Sequence, residues 1–231
     1  MTDWIVKRGD AVEALRRIPD ASMNLVVTDP PYESMEKHRS QGSTTRLSHS
    51  KMSSNDWFPI FPNSRFPVLA EHLYRVLKPH SHCYLFCDDE TSDVLKAAAR
   101  RAGFTVWKRL VWDKTYIGMG YHYRAMYEFI LFCEKGKRAL ASKAVGDVLR
   151  AKPVKGKAAY PAQKPESVCR TLIEQSTDPG ARVLDPFCGS GTTGAAAVAL
   201  GRRFVGFDIK REAVNLATRR LQEVIVDGSD V

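Results

Sequence analysis

The chain has 231 residues, 44% of them hydrophobic and 26% charged, which supplies apolar material for one substantial core and too little length for two full domains. No window approaches the roughly 18 apolar residues of a membrane span, Met1-Thr2-Asp3-Trp4 is neither a basic nor an apolar leader, and five irregularly spaced cysteines form neither a disulfide framework nor a zinc set. A cytoplasmic protein with reduced thiols, no membrane partner and no metal is therefore expected, and its formal charge of +9 points to an anionic partner, nucleic acid first.

Strands and helices alternate along the chain. Trp4-Ile5-Val6 reads as a short strand and Ala11 to Arg17 has helical spacing. Leu25-Val26-Val27 is a β-branched run that stops at Thr28-Asp29-Pro30-Pro31, because proline cannot donate to a ladder. Residues 66–77 carry Val68, Leu69, Leu73, Val76 and Leu77 at helical spacing before Pro79. Cys83 to Cys87 is the next strand and Ser92 to Ala102 a helix closed by Gly103. Val106 to Trp112 and Phe129 to Cys133 are two further strands. A helix over Ser167 to Gln175 precedes the strand Val183-Leu184. Thr192 to Leu200 forms a helix ending before Gly201, Phe204 to Phe207 a strand, and Glu212 to Val224 the last helix. This alternation predicts a mostly parallel sheet with helices on both faces, in one domain over residues 1–231. Two segments interrupt it. Residues 33–56 form a long polar loop, and residues 136–160 a basic strip, with eight Lys/Arg against the single acid Asp147 between Lys135 and Lys157.

Two motifs carry chemistry. Asp185-Pro186-Phe187-Cys188-Gly189-Ser190-Gly191-Thr192 follows a strand and opens a helix, so its glycines admit a close ligand and the helix start offers free N–H groups. A strand ending at Asp208, next to Ile209, places an acid where it accepts ribose hydroxyls, which suggests an adenosine-containing ligand. Gly194 stands where dinucleotide-binding turns have their third glycine, so this motif alone leaves NAD and S-adenosylmethionine open. The second motif, Asp29-Pro30-Pro31-Tyr32, ends a buried strand. An exocyclic base amine is a poor nucleophile because its lone pair is delocalised into the ring. A carboxylate (Asp29) and a carbonyl (Pro30) that both accept N–H bonds localise that pair toward a methyl donor. Paired prolines hold the carbonyl in one orientation, and Tyr32 offers a face on which an extruded base stacks.

Together the two motifs resemble those of the amino-group DNA methyltransferases, adenine-N6 or cytosine-N4. The catalytic motif precedes the cofactor motif by about 155 residues, which resembles the β group of that family. The resemblance implies a Rossmann-like class I methyltransferase fold, α/β and circularly permuted. It also implies S-adenosyl-L-methionine as cofactor, with Asp185, Phe187, Cys188, Gly189, Ser190, Gly191, Thr192, Asp208 and Ile209 binding it. Gly9-Asp10, with Ala11 beside it, is similar to the block that contacts the cofactor adenine. Tyr160-Pro161-Ala162-Gln163-Lys164-Pro165 is similar to the block at the methionine end, where Lys164 is the named contact. The family's usual His is Tyr160 here. Arg124 to Phe132 is similar to the hairpin block near the target base.

The implied activity is methylation of adenine N6 in double-stranded DNA, site-specifically and by base flipping, in a bacterial or phage-infected cell; restriction-modification is one such role. Arg39, Arg46, Lys51, His122, Arg124, Lys137 and Arg138 are the expected DNA contacts, in or near the loop at 33–56, the stretch at 118–124 and the strip at 136–160. These small segments favour a short or loosely read target, with the second subunit of a homodimer as a further contributor. Trp107, Trp112 and Phe86 are expected in the core. The alternatives are cytosine-N4 methylation, RNA methylation, and a non-catalytic DNA-binding protein with a vestigial cofactor fold.

Overall fold

A computed structural model describes residues 3–33, 59–118, 123–154 and 163–227. Its strands are β1 (Trp4–Arg8), β2 (Met23–Thr28), β3 (Leu77–Cys87), β4 (Thr105–Asp113), β5 (Tyr127–Lys135), β6 (Val148–Arg150), β7 (Arg182–Asp185) and β8 (Arg203–Asp208). Its helices are α1 (Ala11–Arg16), α2 (Phe66–Val76), α3 (Asp89–Arg101), α4 (Glu166–Ser176), α5 (Thr192–Ala199) and α6 (Arg211–Asp227). The strands form one sheet in the order β1-β8-β7-β2-β3-β5-β4-β6, and only β5 runs against the rest. The two C-terminal strands sit between the first two of the chain, which is the permuted order expected.

Alternation along the central strands feeds two cores. Val26, Cys83, Leu85, Cys87, Leu131 and Leu184 point to the side packed by α1, α2 and α3, where Leu15, Phe66, Leu73 and Leu95 are buried. Leu25, Val27, Tyr84, Phe86, Ile130 and Val183 point to the opposite side, against Val168, Leu172, Ala196, Ala217 and Leu221 of α4, α5 and α6. Helices therefore cover both faces. Helix α5 is buried on nearly every side, and its small residues Gly194-Ala195-Ala196-Ala197 let α4, α6 and β8 approach closely. A Cβ on Gly194 would stand 2.6 Å from the Phe204 ring, so this glycine packs helix on strand.

Two elements depart from expectation. Strand β3 begins at Leu77, immediately after α2, and contains Pro79. Pro79 is tolerated because pairing with β2 is interrupted between Leu77 and His82, where a missing N–H costs no ladder bond. The basic strip holds the edge strand β6, in which Leu149 is half-buried and Val148–Arg150 pair with Val111–Asp113 of β4. Three residues with exposed neighbours carry no periodic signal. Trp107 is a third correction: it is 61% exposed on the outer face of β4, its indole donating to Glu134 Oε2 at 2.8 Å, whereas Trp112 and Phe86 are buried as expected.

Candidate active site

The crossovers diverge at the boundary between β7 and β2. From β7 the chain goes through α5 on one face to β8; from β2 it goes through α2 on the other face to β3. Loops leaving this switch point part from each other and open a crevice at the strands' carboxyl ends, the place where open α/β sheets bind ligands. A cavity of about 450 Å³ lies there. It is lined by the turn at 29–32, the glycine turn, Asp10, Asp208, and Tyr127 and Glu128 at the start of β5.

One hydrogen bond joins the two motifs across the switch point. Thr28 Oγ1, at the end of β2, donates to Asp185 Oδ1 at 2.6 Å, and the same oxygen accepts Phe187 N–H at 3.1 Å. Burial pushes the Asp185 carboxyl up to about 7, against the pull of these donors. At the end of β8, Asp208 accepts Gly189 N–H at 3.0 Å on Oδ2 and Lys210 N–H at 2.8 Å on Oδ1. Each oxygen has one further lone pair, which suits a pair of ribose hydroxyls. Asp10 caps α1 through Val12 and Glu13 N–H, and takes Arg65 on both oxygens at 2.7 and 2.9 Å. Arg65 also stacks over Phe61, which packs edge-on against Phe187, and Phe61 N–H donates to Pro31 O at 2.9 Å. Residues 59–65 are thereby tied to both motifs.

The turn at 29–32 is held by charge. Tyr32 Oη donates to Asp29 Oδ1, and Lys164 Nζ donates to Asp29 Oδ2. Lys164 also reaches Glu128 Oε2 at 3.3 Å, and Glu128 Oε1 pairs with Lys114 Nζ at 2.7 Å. Burial raises the Asp29 pKa, with Lys164 opposing it and Glu128 adding to it. For Lys164, burial alone would lower the ammonium pKa; Asp29 and Glu128 outweigh it and the net is upward. Tyr32 is 7% exposed, belongs to the core cluster on the side of α1, α2 and α3, and also lines the cavity.

Asp29, Pro30, Pro31 and Tyr32 all line the cavity, as do Asp10, Ala11, Lys164, Asp185, Phe187, Cys188, Gly189, Ser190, Thr192, Asp208 and Ile209. Gly191 does not. It lies behind the turn at φ +80°, where a Cβ would stand 2.8 Å from Ala217 Cβ, so its part is to pack α5 on α6. Cys188 is buried and its thiol pKa is pushed well up by burial, the opposite of an activated nucleophile.

The expected DNA contacts are scattered. Arg39, Arg46, Lys51 and His122 fall outside the described residues. Arg124 is exposed beside the cavity-lining Ala125. Lys137 and Arg138 do not join the site. They follow β5, which ends beside the start of β3 at the end of the sheet opposite the cavity; there their carbonyls meet His80 and His82, and Arg138 pairs with Asp178 at 3.2 Å. Glu128, Lys114, Thr28 and Arg65 were not singled out from sequence. Each lies on a separate element, and no local spacing connects them. Among the described residues no group of His, Cys, Asp and Glu is placed to hold a metal, and no helix is long and apolar enough to cross a membrane.

The cavity suits the cofactor that the motifs imply. The glycine turn brings backbone to its wall, Asp208 has acceptor capacity, and Phe187 and Ile209 supply apolar surface. A DNA methylase family model for N6 and N4 methyltransferases matches residues 23–219. The DNA adenine methyltransferase YhdJ of Escherichia coli (strain K12) is 30% identical over 250 residues, covering 92% of this chain and 81% of the relative. Among solved structures, TTHA0409 of Thermus thermophilus complexed with S-adenosyl-L-methionine superposes with a TM-score of 0.69 at 22% identity, covering 95% of this chain and 93% of that one. The cytosine-N4-specific PvuII DNA methyltransferase gives 0.75 at 17% identity, covering 98% and 91%.

Proposed function

This chain belongs to the N6/N4 DNA methylase family, and we propose that it methylates adenine N6 in duplex DNA, with Asp29 and the Pro30 carbonyl as acceptors for the target amine. The observation that carries the reading is the coupling of the two motifs. The Asp29 turn and the glycine turn leave adjacent strands, are bonded through Thr28 and Asp185, and face one cavity.

S-adenosyl-L-methionine, when bound, supplies an electrophilic methyl group. The chain's residues do the rest by positioning and charge. Phe187, Asp208 and Ile209 would hold the adenosine half, with the backbone at 188–190 forming the wall beside it. Asp29 and Pro30 accept the amine's two N–H bonds, which turns its lone pair toward the methyl carbon. Transfer would leave sulfur with the carbon–sulfur bonding pair, and Asp29 or water would take the extra proton from the methylated nitrogen. The Tyr32 ring is the stacking face, and its hydroxyl orients Asp29. No covalent enzyme intermediate is required.

Adenine is preferred over cytosine because the tetrapeptide begins with Asp, where the cytosine-N4 subgroup more often has Ser, and because YhdJ is named as an adenine enzyme. Cytosine-N4 is the second reading, favoured by the fold likeness to the PvuII enzyme. Incubation of unmethylated genomic DNA with enzyme and cofactor, followed by mass spectrometry of the nucleosides, decides between N6-methyladenine and N4-methylcytosine. Asp29→Ala is expected to abolish transfer while S-adenosylmethionine still binds, and retained turnover would remove Asp29 from the chemistry.

A further inference from the structure

Asp29 belongs to a chain of partly buried charges that the methylation chemistry does not by itself require. Lys164 is 10% exposed, Lys114 19%, Glu128 22% and Asp29 26%. They come from four segments: the turn after β2, the residue after β4, the start of β5 and the residue two before α4. Their order in space is Lys114, Glu128, Lys164, Asp29, so cations and anions alternate and the sum is neutral. The aromatic floor beneath is buried: Lys164 Nζ lies 5.3 Å from the Phe86 ring centre, and Lys114 Nζ the same distance from that of Trp112. Charges held over such a floor are costly unless each is paired, and removing one partner leaves its neighbours uncompensated.

Lys164 occupies the space between two carboxylates. Without its ammonium, Asp29 and Glu128 would be like charges in a poorly solvated place, and one of them would take up a proton near neutral pH. A protonated Asp29 donates where it should accept, and no longer draws an amine N–H. The remaining titratable groups around Asp29 do not replace the cation. Tyr32 and the thiol of Cys87 stay neutral because burial raises both, Asp185 adds negative charge if ionised, and Asp88 is a further acid on the cavity wall.

We propose that Lys164 is a positioning residue for methyl transfer: standing between two carboxylates, its ammonium holds Asp29 oriented and ionised against the like charge of Glu128, which Lys114 also pairs. The proposal rests on the reading of Asp29 as the amine's acceptor. It gives Lys164 a role toward the target base in place of the cofactor contact that the sequence resemblance implies.

The test is methylation of duplex DNA by radiolabelled S-adenosylmethionine over about pH 5.5 to 9. It compares wild type, Lys164→Met, Glu128→Gln and the double variant, with cofactor affinity measured separately by calorimetry. Lys164→Met is expected to lose about 100-fold in kcat at neutral pH and to regain it as pH rises, since two pH units of displaced ionisation give that factor. Cofactor Kd is expected to change little. The double variant is expected to recover about 10-fold over Lys164→Met, because the uncompensated neighbour of Asp29 is gone. Glu128→Gln alone is expected to move the acid limb of the pH profile downward. Should Lys164→Met fail to fold, that limb still decides the matter: an unmoved or upward-shifted limb overturns the proposal. A loss in Lys164→Met that is equal at every pH, a loss explained by weakened cofactor binding, or no rescue in the double variant also overturns it. Asp29→Ala in the same assay keeps the two readings apart, since turnover there removes the catalytic assignment itself.

Discussion

Replacing Asp185 by Asn tests how the glycine turn is held. Asp185 is 4% exposed, and its carboxyl is pushed up from 3.8 to about 7, chiefly by burial. Asn keeps an Oδ1 for the Thr28 hydroxyl and the Phe187 N–H, and the Thr193 hydroxyl is the third partner. An acid whose folded pKa is raised favours folding while it stays protonated. Below about pH 4 both states hold the proton and stability is level. Between about 4 and 7 the folded protein keeps a proton that the unfolded chain has released, so stability falls with rising pH at about 1.4 kcal/mol per unit. Above 7 both states are ionised and the slope ends. Across that window the ceiling is about 4 kcal/mol, and relaxation around the charge leaves roughly half of it as the working expectation. Asn has no such slope. Urea unfolding of wild type and Asp185→Asn at pH 5, 6, 7 and 8 at constant ionic strength should show the variant ahead by less than about 1 kcal/mol at pH 5. By pH 8 the variant should be the more stable by about 2 kcal/mol. A difference that is flat across pH, or one that grows in favour of wild type, would refute the argument that Asp185 is held as a neutral acid.

Gly191 and Gly180 form a matched pair. Both have positive φ, but a Cβ at Gly180 meets nothing within 4 Å and one at Gly191 meets Ala217 at 2.8 Å. In urea melts, Gly180→Ala should cost about 1–2 kcal/mol for the left-handed backbone alone, and Gly191→Ala about 1–3 kcal/mol more for overpacking; equal costs would show that α6 moves aside freely. Tyr32→Phe keeps the ring and removes the hydroxyl bond to Asp29. It should lower kcat about 10-fold, the scale of one hydrogen bond to a charged group, whereas Tyr32→Ala should lose a further factor of about 10 as the stacking face goes. Identical losses in the two variants would assign Tyr32 to the hydroxyl alone.

Local information in the sequence determined the elements and the two motifs. Proline at 30 and 31 must end a strand, glycine at 189 and 191 must turn the chain into a helix, and β-branched or apolar runs flanked by polar turns must be strands. The chemistry of an acid, two prolines and an aromatic is likewise written in four consecutive residues. Tertiary structure alone decided what surrounds them. Asp29 meets Lys164 at a separation of 135 residues, and Thr28 meets Asp185 at 157. Those partners are chosen by sheet order, which brings β7 beside β2 and β5 beside β3. The same pairing carried Lys137 and Arg138 to the end of the sheet opposite the cavity, turned Trp107 outward, and made a strand of three residues inside a basic strip. Periodicity reports which way a side chain faces its own element. Which charge it faces depends on how distant strands pair, and that pairing is a property of the whole sheet.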